Sequence, residues 1–261
     1  MKLALTINNG KITTFANATE ITERYDLPLD LESLTIEQAQ KLYNYINTNA
    51  SEEYRAFMAG IDAPEQKVWS SKLKEYTEVV CGAMAEVIGV PVEAFTGLTF
   101  RQQRIYCDAF ELKVIRPLYM IGLYEPKGIK SFEWEGVEYH LPKMTADGFG
   151  GLLPMAEETA ESWAESNDLH IASENPYECM PLIVAILCRP EGEPYNELTA
   201  RQRSEVFKQL PVSIAFEVFF CRLSQTITIA SLIGGYLDQL IKADQAKVVS
   251  EAPASPNGSQ C

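Results

Sequence analysis

Read for its apolar spacing, the chain resolves into helical stretches with two short alternating ones between them. From Thr35 to Asn49, Ile36, Ala39, Leu42 and Ile46 recur at three- and four-residue steps and predict one buried helix face. After Pro64 the same spacing runs through Trp69, Leu73, Tyr76, Val80, Ala83 and Val87. Lys67, Ser71, Lys74, Glu75 and Glu78 take the other faces, and Gly89-Val90-Pro91 closes the element. Thr99 to about Leu123 reads as a further helix, bent or broken where Pro117 removes a backbone donor. Thr35-x-x-Gln38, Thr99-x-x-Gln102 and Thr199-x-x-Gln202 each predict a capping box at a helix start. Arg101 and Arg104, then Arg201 and Arg203, fall in the first turns of two of these helices, where positive charge opposes the helix dipole. Pairing with carboxylates or with a partner would offset that cost; a solvated surface is the plainer alternative.

The alternating stretches predict hairpins over about 3–15 and 131–141. In the first, Asn9-Gly10 suits a type I′ turn and sets Ile7 opposite Ile12. In the second, a turn at Glu135-Gly136 sets Trp134 against Val137, Glu133 against Glu138 and Phe132 against Tyr139. That leaves an acidic side and an aromatic side. The aromatic side needs a cover, from the rest of the chain or from a partner.

Past the Gly148-Phe149-Gly150-Gly151 turn, Pro154 opens a further expected helix, with Glu157, Glu158, Glu161 and Glu165 on an acidic face and Trp163 inward. The longest apolar runs lie in the stretch from Asn175 to Leu237, at Pro181 to Cys188 and Leu210 to Phe220, so the rest of the chain is expected to pack on them. The fold class is then mainly α (α+β), a helical bundle core with two small β-hairpins. One domain is expected over 1–248, with a sub-boundary near 125–145, and a disordered tail over 249–261, rich in Pro, Ser and Gly.

Composition narrows the function classes. A formal net charge of −14 over 261 residues disfavours nucleic acid, whose binding needs Lys and Arg to displace counterions, and disfavours an anionic membrane surface. The first ten residues lack the apolar core of a secretory signal. The Pro181–Cys188 run is about half the ~20 residues a spanning helix needs, and Glu217 and Arg222 interrupt the later one. The six cysteines, Cys81, Cys107, Cys179, Cys188, Cys221 and Cys261, show no C-x-x-C spacing; five sit in apolar helical patterns and read as buried reduced thiols.

No catalytic constellation stands out. His140 and His170 have no second ligand at metal spacing, so neither a metal site nor a cofactor is expected. The glycine cluster lacks the Lys-Ser/Thr of a phosphate loop, and there is no G-x-S-x-G elbow. Most carboxylates sit on solvated faces that offer no pKa-shifting environment. The stiff turn Arg189-Pro190-Glu191-Gly192-Glu193-Pro194-Tyr195 follows directly on the most apolar helix. With the aromatic hairpin it supplies the candidate protein-contact residues: Phe132, Trp134, Tyr139, Arg189, Glu191, Glu193 and Tyr195.

A wider pattern joins these pieces. Asn175-Pro176-Tyr177, Met180-Pro181-Leu182-Ile183-Val184-Ala185-Ile186, Arg189-Pro190-Glu191-Gly192-Glu193 with Tyr195, and Phe207 with Leu210-Pro211-Val212-Ser213-Ile214-Ala215 and Phe219-Phe220 follow one another, with Phe132, Gly136 to Tyr139 and Met144-Thr145 upstream. Over about 132–220 the chain resembles virion-associated or tail-assembly-chaperone-like proteins of tailed bacteriophages of the sort infecting Bacteroidota. The resemblance implies a non-enzymatic protein, in the host cytoplasm during assembly or in the virion, that binds other phage structural proteins such as a tail or tape-measure protein. It is compatible with homo-oligomerisation and transfers no catalytic residue. Two alternatives stand beside it. A carboxylate-based hydrolase, with or without a metal, would need several of Glu178, Arg189, Glu191 and Glu193 to converge in a pocket. A cytosolic adaptor would need only a contact surface.

Overall fold

The computed structural model describes residues 2–8, 11–13, 23–58, 66–120, 124–141, 165 and 175–221. The backbone divides into a compact unit over Met1–Phe219 and a second over Phe220–Cys261. Only Phe220 and Cys221 of the second are described, and the elements named here belong to the first. The described chain is mainly helical with small antiparallel sheets.

At the start, β1 (Lys2–Asn8) pairs with β2 (Lys11–Thr13), with Ile7 opposite Ile12 as the Asn-Gly signal predicts. The turn itself lies outside the described residues. A third strand, β3 (Glu23–Pro28), pairs along the other edge of β1, so the expected hairpin is one part of a β2-β1-β3 sheet. Alternation in β3 is confined to Tyr25 and Leu27 among charged neighbours, and Pro28 ends it, as an edge strand tolerates.

From β3 the buried Leu27, Leu29, Leu31 and Leu34 lead into α1 (Ile36–Asn49). The Thr35–Gln38 capping box is formed, and Ile36, Ala39, Leu42 and Ile46 are fully buried. Of the amides that a helix start leaves unpaired, those of Ile36 and Glu37 reach another part of the chain: they donate to the carbonyls of Leu210 and Lys208, each at 2.9 Å. Val212 N–H returns the contact to Leu34 O at 2.8 Å. The start of α1 is thereby tied to the segment opening the last helical run among the described residues, which begins at residue 212.

After α2 (Glu52–Met58), α3 (Gln66–Ile88) buries Tyr76, Val80, Ala83 and Val87 and stops at Gly89, whose φ of +72° suits glycine. A 3₁₀ turn (Val92–Gly97) leads to α4 (Phe100–Phe110), with the expected Thr99–Gln102 box present. The disruption expected at Pro117 takes a specific form. A π-helical stretch (Glu111–Ile115) runs straight into the short α5 (Arg116–Tyr119). The wider turn accommodates a residue that lacks the i→i−4 donor, and the chain stays helical to Tyr119; residues 121–123 lie outside the described residues.

The aromatic hairpin, β4 (Ser131–Trp134) and β5 (Val137–His140), has the predicted register, with Glu135 (φ 51°) and Gly136 (φ 78°) in the left-handed conformation of its tight turn. The next element among the described residues with a full range is α6 (Pro176–Leu187). Tyr177, Cys179 to Pro181 and Ile183 to Leu187 are buried, and α1 and α7 (Glu197–Phe207) pack against it. The most apolar run of the sequence is thus internal scaffold. Tyr177 donates to Leu118 O at 2.6 Å, Tyr43 stacks on Tyr119 at 5.2 Å, and Asn175 Nδ2 donates to Asn44 Oδ1 at 2.8 Å, binding α1, α5 and α6 together.

One expected cap is corrected. α7 starts at Glu197, not after Thr199: Asn196 is the cap, and its side chain accepts from the amide of Thr199 at 2.9 Å. Thr199 occupies the third helical position because an Asn three residues earlier captured the same amide. The helix expected from Pro154 lies outside the described residues except for Glu165, which is helical. His170, Cys261 and the tail over 249–261 also lie outside them. Cys81, Cys107, Cys179 and Cys188 are buried as expected, whereas Cys221 is half-buried.

Candidate functional site

Of the candidate contact residues, Phe132, Tyr139, Arg189, Glu193 and Tyr195 are drawn together where the hairpin, the turn after α6, and α7 adjoin. The turn is fastened to the hairpin edge: His140 N–H donates to Arg189 O at 2.9 Å, making a bridge beside β5. Within the turn, Gly192 at φ +77° reverses the chain and Glu193 N–H donates to Pro190 O at 3.1 Å.

Arg203 of α7 is the hub of this face. One of its terminal nitrogens donates to both carboxylate oxygens of Glu193, at 2.6 and 2.9 Å, while the guanidinium lies 5.2 Å from the ring centre of Tyr139. Its side chain is only 11% exposed, so the pair is shielded and not merely a surface contact. Arg189 lies 5.7 Å from the Tyr195 ring centre. Tyr195 donates to the Glu165 carboxylate, and Arg201 approaches the same carboxylate at 4.0 Å while pairing with Glu197 at 2.8 Å. Burial, and then the nearby Glu197 charge, push the Glu165 carboxyl above its usual range against the pull of Arg201.

The question of what covers the aromatic side has an answer here. Phe132 is buried, stacked on Tyr139 at 5.4 Å, and both rings meet Phe207 of α7 edge-on at 6.0 and 5.1 Å. The chain itself therefore occupies the surface of Phe132 and part of that of Tyr139. Trp134 and Tyr195 stay half-exposed and Glu191 exposed. Val137 adds exposed apolar surface to the hairpin and Leu198 to α7. Arg203, Phe207 and Glu165 complete the arrangement and were not singled out as contact residues. The misplaced start of α7 set Arg203 in a first turn, where its charge read as a local cost.

A hydrolase would need several of Glu178, Arg189, Glu191 and Glu193 together. Glu178 alone of the four lines a half-open hollow of about 360 Å³ between α1, α6 and α7, with Gln40, Arg201, Ser204 and Lys208 among its other walls. Lys208 pairs with Glu205 at 2.6 Å on the same wall. Among the described residues no group of three or more His, Cys, Asp or Glu side chains is placed to hold a metal ion, and no helix is long and apolar enough to cross a membrane. Comparison with protein-family models, curated proteins and solved structures finds no match.

Proposed function

We propose that this chain works by surface contact and not by bond-making, as a bacteriophage assembly protein that holds another phage protein, most simply a tail or tape-measure component, in the manner of a tail-assembly chaperone. The phage assignment comes from the resemblance over about 132–220. The observation that supports a contact role is the Arg203–Glu193–Tyr139 arrangement, which spends its charged and aromatic groups on holding a hairpin, a turn and a helix in one fixed face. Binding gains from such preorganisation, because a face already ordered loses less entropy on docking. The half-exposed Trp134 and Tyr195, with Arg189 over the Tyr195 ring and Glu191 exposed beside them in the turn, give these elements aromatic anchors with polar neighbours.

The test is co-purification of the tagged chain with each tail protein of the same phage, expressed singly. Retention of one of them, lost in Trp134→Ala and Glu191→Lys variants that still fold, is the expected result. Retention that ignores both substitutions, or none with any tail protein, sinks the reading. Mass spectrometry of purified virions separates its two forms, since a chaperone is missing from finished particles and a structural subunit is abundant in them.

A further inference from the structure

Away from that face, two thiols meet in the core. Cys81 on α3 and Cys107 on α4 are 5% and 1% exposed, and their sulfurs lie 3.6 Å apart. The Cys107 sulfur also sits 3.6 Å from the carbonyl oxygen of Thr77, one turn before Cys81. We propose that Cys81 and Cys107 form a peroxide-sensitive dithiol that closes into an intramolecular disulfide, stapling α3 to α4. The sulfurs are already in van der Waals contact, and side-chain rotation has to bring them to the roughly 2.05 Å of a bond.

The surroundings assign different parts to the two thiols. With both protonated, Cys107 S–H points to the Thr77 carbonyl. When Cys81 ionises, that proton turns to its thiolate. This hydrogen bond holds Cys81 below the ordinary thiol range, against the opposing effect of burial, and the same bond and then burial push Cys107 up. Cys81 is therefore the nucleophile and Cys107 the resolving thiol. The Cys81 thiolate attacks one oxygen of hydrogen peroxide, breaking the O–O bond; with one proton taken up, a molecule of water leaves and a sulfenic acid remains. Cys107 sulfur then attacks the Cys81 sulfur. The S–O bond breaks, and the hydroxide leaves as water with the Cys107 proton. In total two thiols and one peroxide give one disulfide and two waters. A small oxidant suits sulfurs this deeply enclosed, where a bulky disulfide reagent does not reach.

The full-length protein is treated with hydrogen peroxide, free thiols are blocked under denaturing conditions, and the product is digested with trypsin. The expected species joins peptide 75–101 to peptide 105–113, two hydrogens lighter than their sum. The oxidised protein melts several degrees higher, and dithiothreitol reverses both changes. In Cys107→Ser the Cys81 sulfenic acid accumulates and is trapped by dimedone added together with denaturant, whereas Cys81→Ser gives no such adduct at Cys107. Recovery of blocked Cys81 and Cys107 after peroxide has consumed other thiols overturns the proposal, as does a bridge from either to a different cysteine.

Discussion

The Tyr124 hydroxyl donates a 2.7 Å hydrogen bond to the Glu217 carboxylate, and the same carboxylate accepts the backbone amides of Lys127 at 2.7 Å and Gly128 at 2.9 Å. Glu217 is 4% exposed. A charge so placed is costly unless its lone pairs are filled, and here the segment leading to the hairpin wraps around it to fill them. The residue that interrupts an apolar run in the sequence is thus what fixes the chain entering β4.

That arrangement makes stability depend on pH. Burial raises the Glu217 carboxyl, but the bonds from Lys127, Tyr124, Ile129 and Gly128 together outweigh it and the group titrates below its ordinary 4.5. A depressed folded-state pKa contributes stability that is fully present above the unfolded value and is lost as pH falls through the folded one. Glu217→Gln keeps the size but turns an N–H₂ toward amide donors, and should cost roughly 2–3 kcal/mol near pH 7. Urea denaturation at a series of pH values should show the gap between wild type and variant narrowing below 4.5. A gap independent of pH would show that the charge contributes nothing.

A second relationship concerns close approach. A Cβ added to Gly82 in α3 would stand 1.8 Å from the Tyr45 hydroxyl of α1, so the ring must leave its place. Gly82→Ala should therefore destabilise the protein by about 1–3 kcal/mol through overpacking. With Tyr45→Ala the obstacle is gone, and the same substitution should stabilise by about 1 kcal/mol, the helix-propensity difference between Ala and Gly. Thermal or urea unfolding of the four proteins tests this; equal effects of Gly82→Ala in both backgrounds would dismiss the contact.

The corrected start of α7 yields a third expectation. Asn196→Ala should cost about 1 kcal/mol by removing the acceptor for the Thr199 amide, while Thr199→Ala should be nearly neutral. At α1 the order differs: Thr35→Ala should cost about 1 kcal/mol, because Thr35 is itself the cap. Chemical denaturation of the three variants suffices. A larger loss for Thr199→Ala than for Asn196→Ala would restore the capping box that the sequence suggests there.

These cases mark what could be read before folding. Local patterns are legible: the pairs Ile7–Ile12 and Phe132–Tyr139 follow from turn chemistry and strand period alone, and Ile36, Ala39, Leu42 and Ile46 from helical spacing. Two candidate caps three residues apart, Asn196 and Thr199, already exceed that resolution, since each has a side-chain oxygen placed to accept an amide three residues on. β3 is supported by its pairing along β1, which no window of residues reveals. Still less legible are Glu217 capturing the amides of Lys127 and Gly128, or Arg203 reaching Glu193. A surplus of carboxylates gives each arginine many acceptors, and only tertiary packing selects one. The contact residues could be named as pieces because a stiff turn and an aromatic hairpin are local features; that they adjoin through His140 and Arg189 is not.

The Arg203 hub offers the most direct probe of whether that face is held as a unit. A lysine there keeps the charge and one nitrogen for Glu193 but presents no flat cation to the Tyr139 ring, so Arg203→Lys should fall between wild type and Arg203→Ala. Because the side chain is mostly enclosed, its removal leaves Glu193 short of a partner and should cost about 1.5–3 kcal/mol. Glu193→Ala in the Arg203→Ala background should then cost less than it does alone, a coupling of roughly 1 kcal/mol read from a double-mutant cycle. The tyrosine arm is separable: Tyr139→Leu preserves apolar contact with Phe207 while abolishing the cation–π term, and should leave the Arg203–Glu193 coupling intact. If the cycle returns no coupling, the guanidinium is exchanging freely with solvent, and the His140–Arg189 backbone bridge, not the ion pair, fastens the turn to the hairpin.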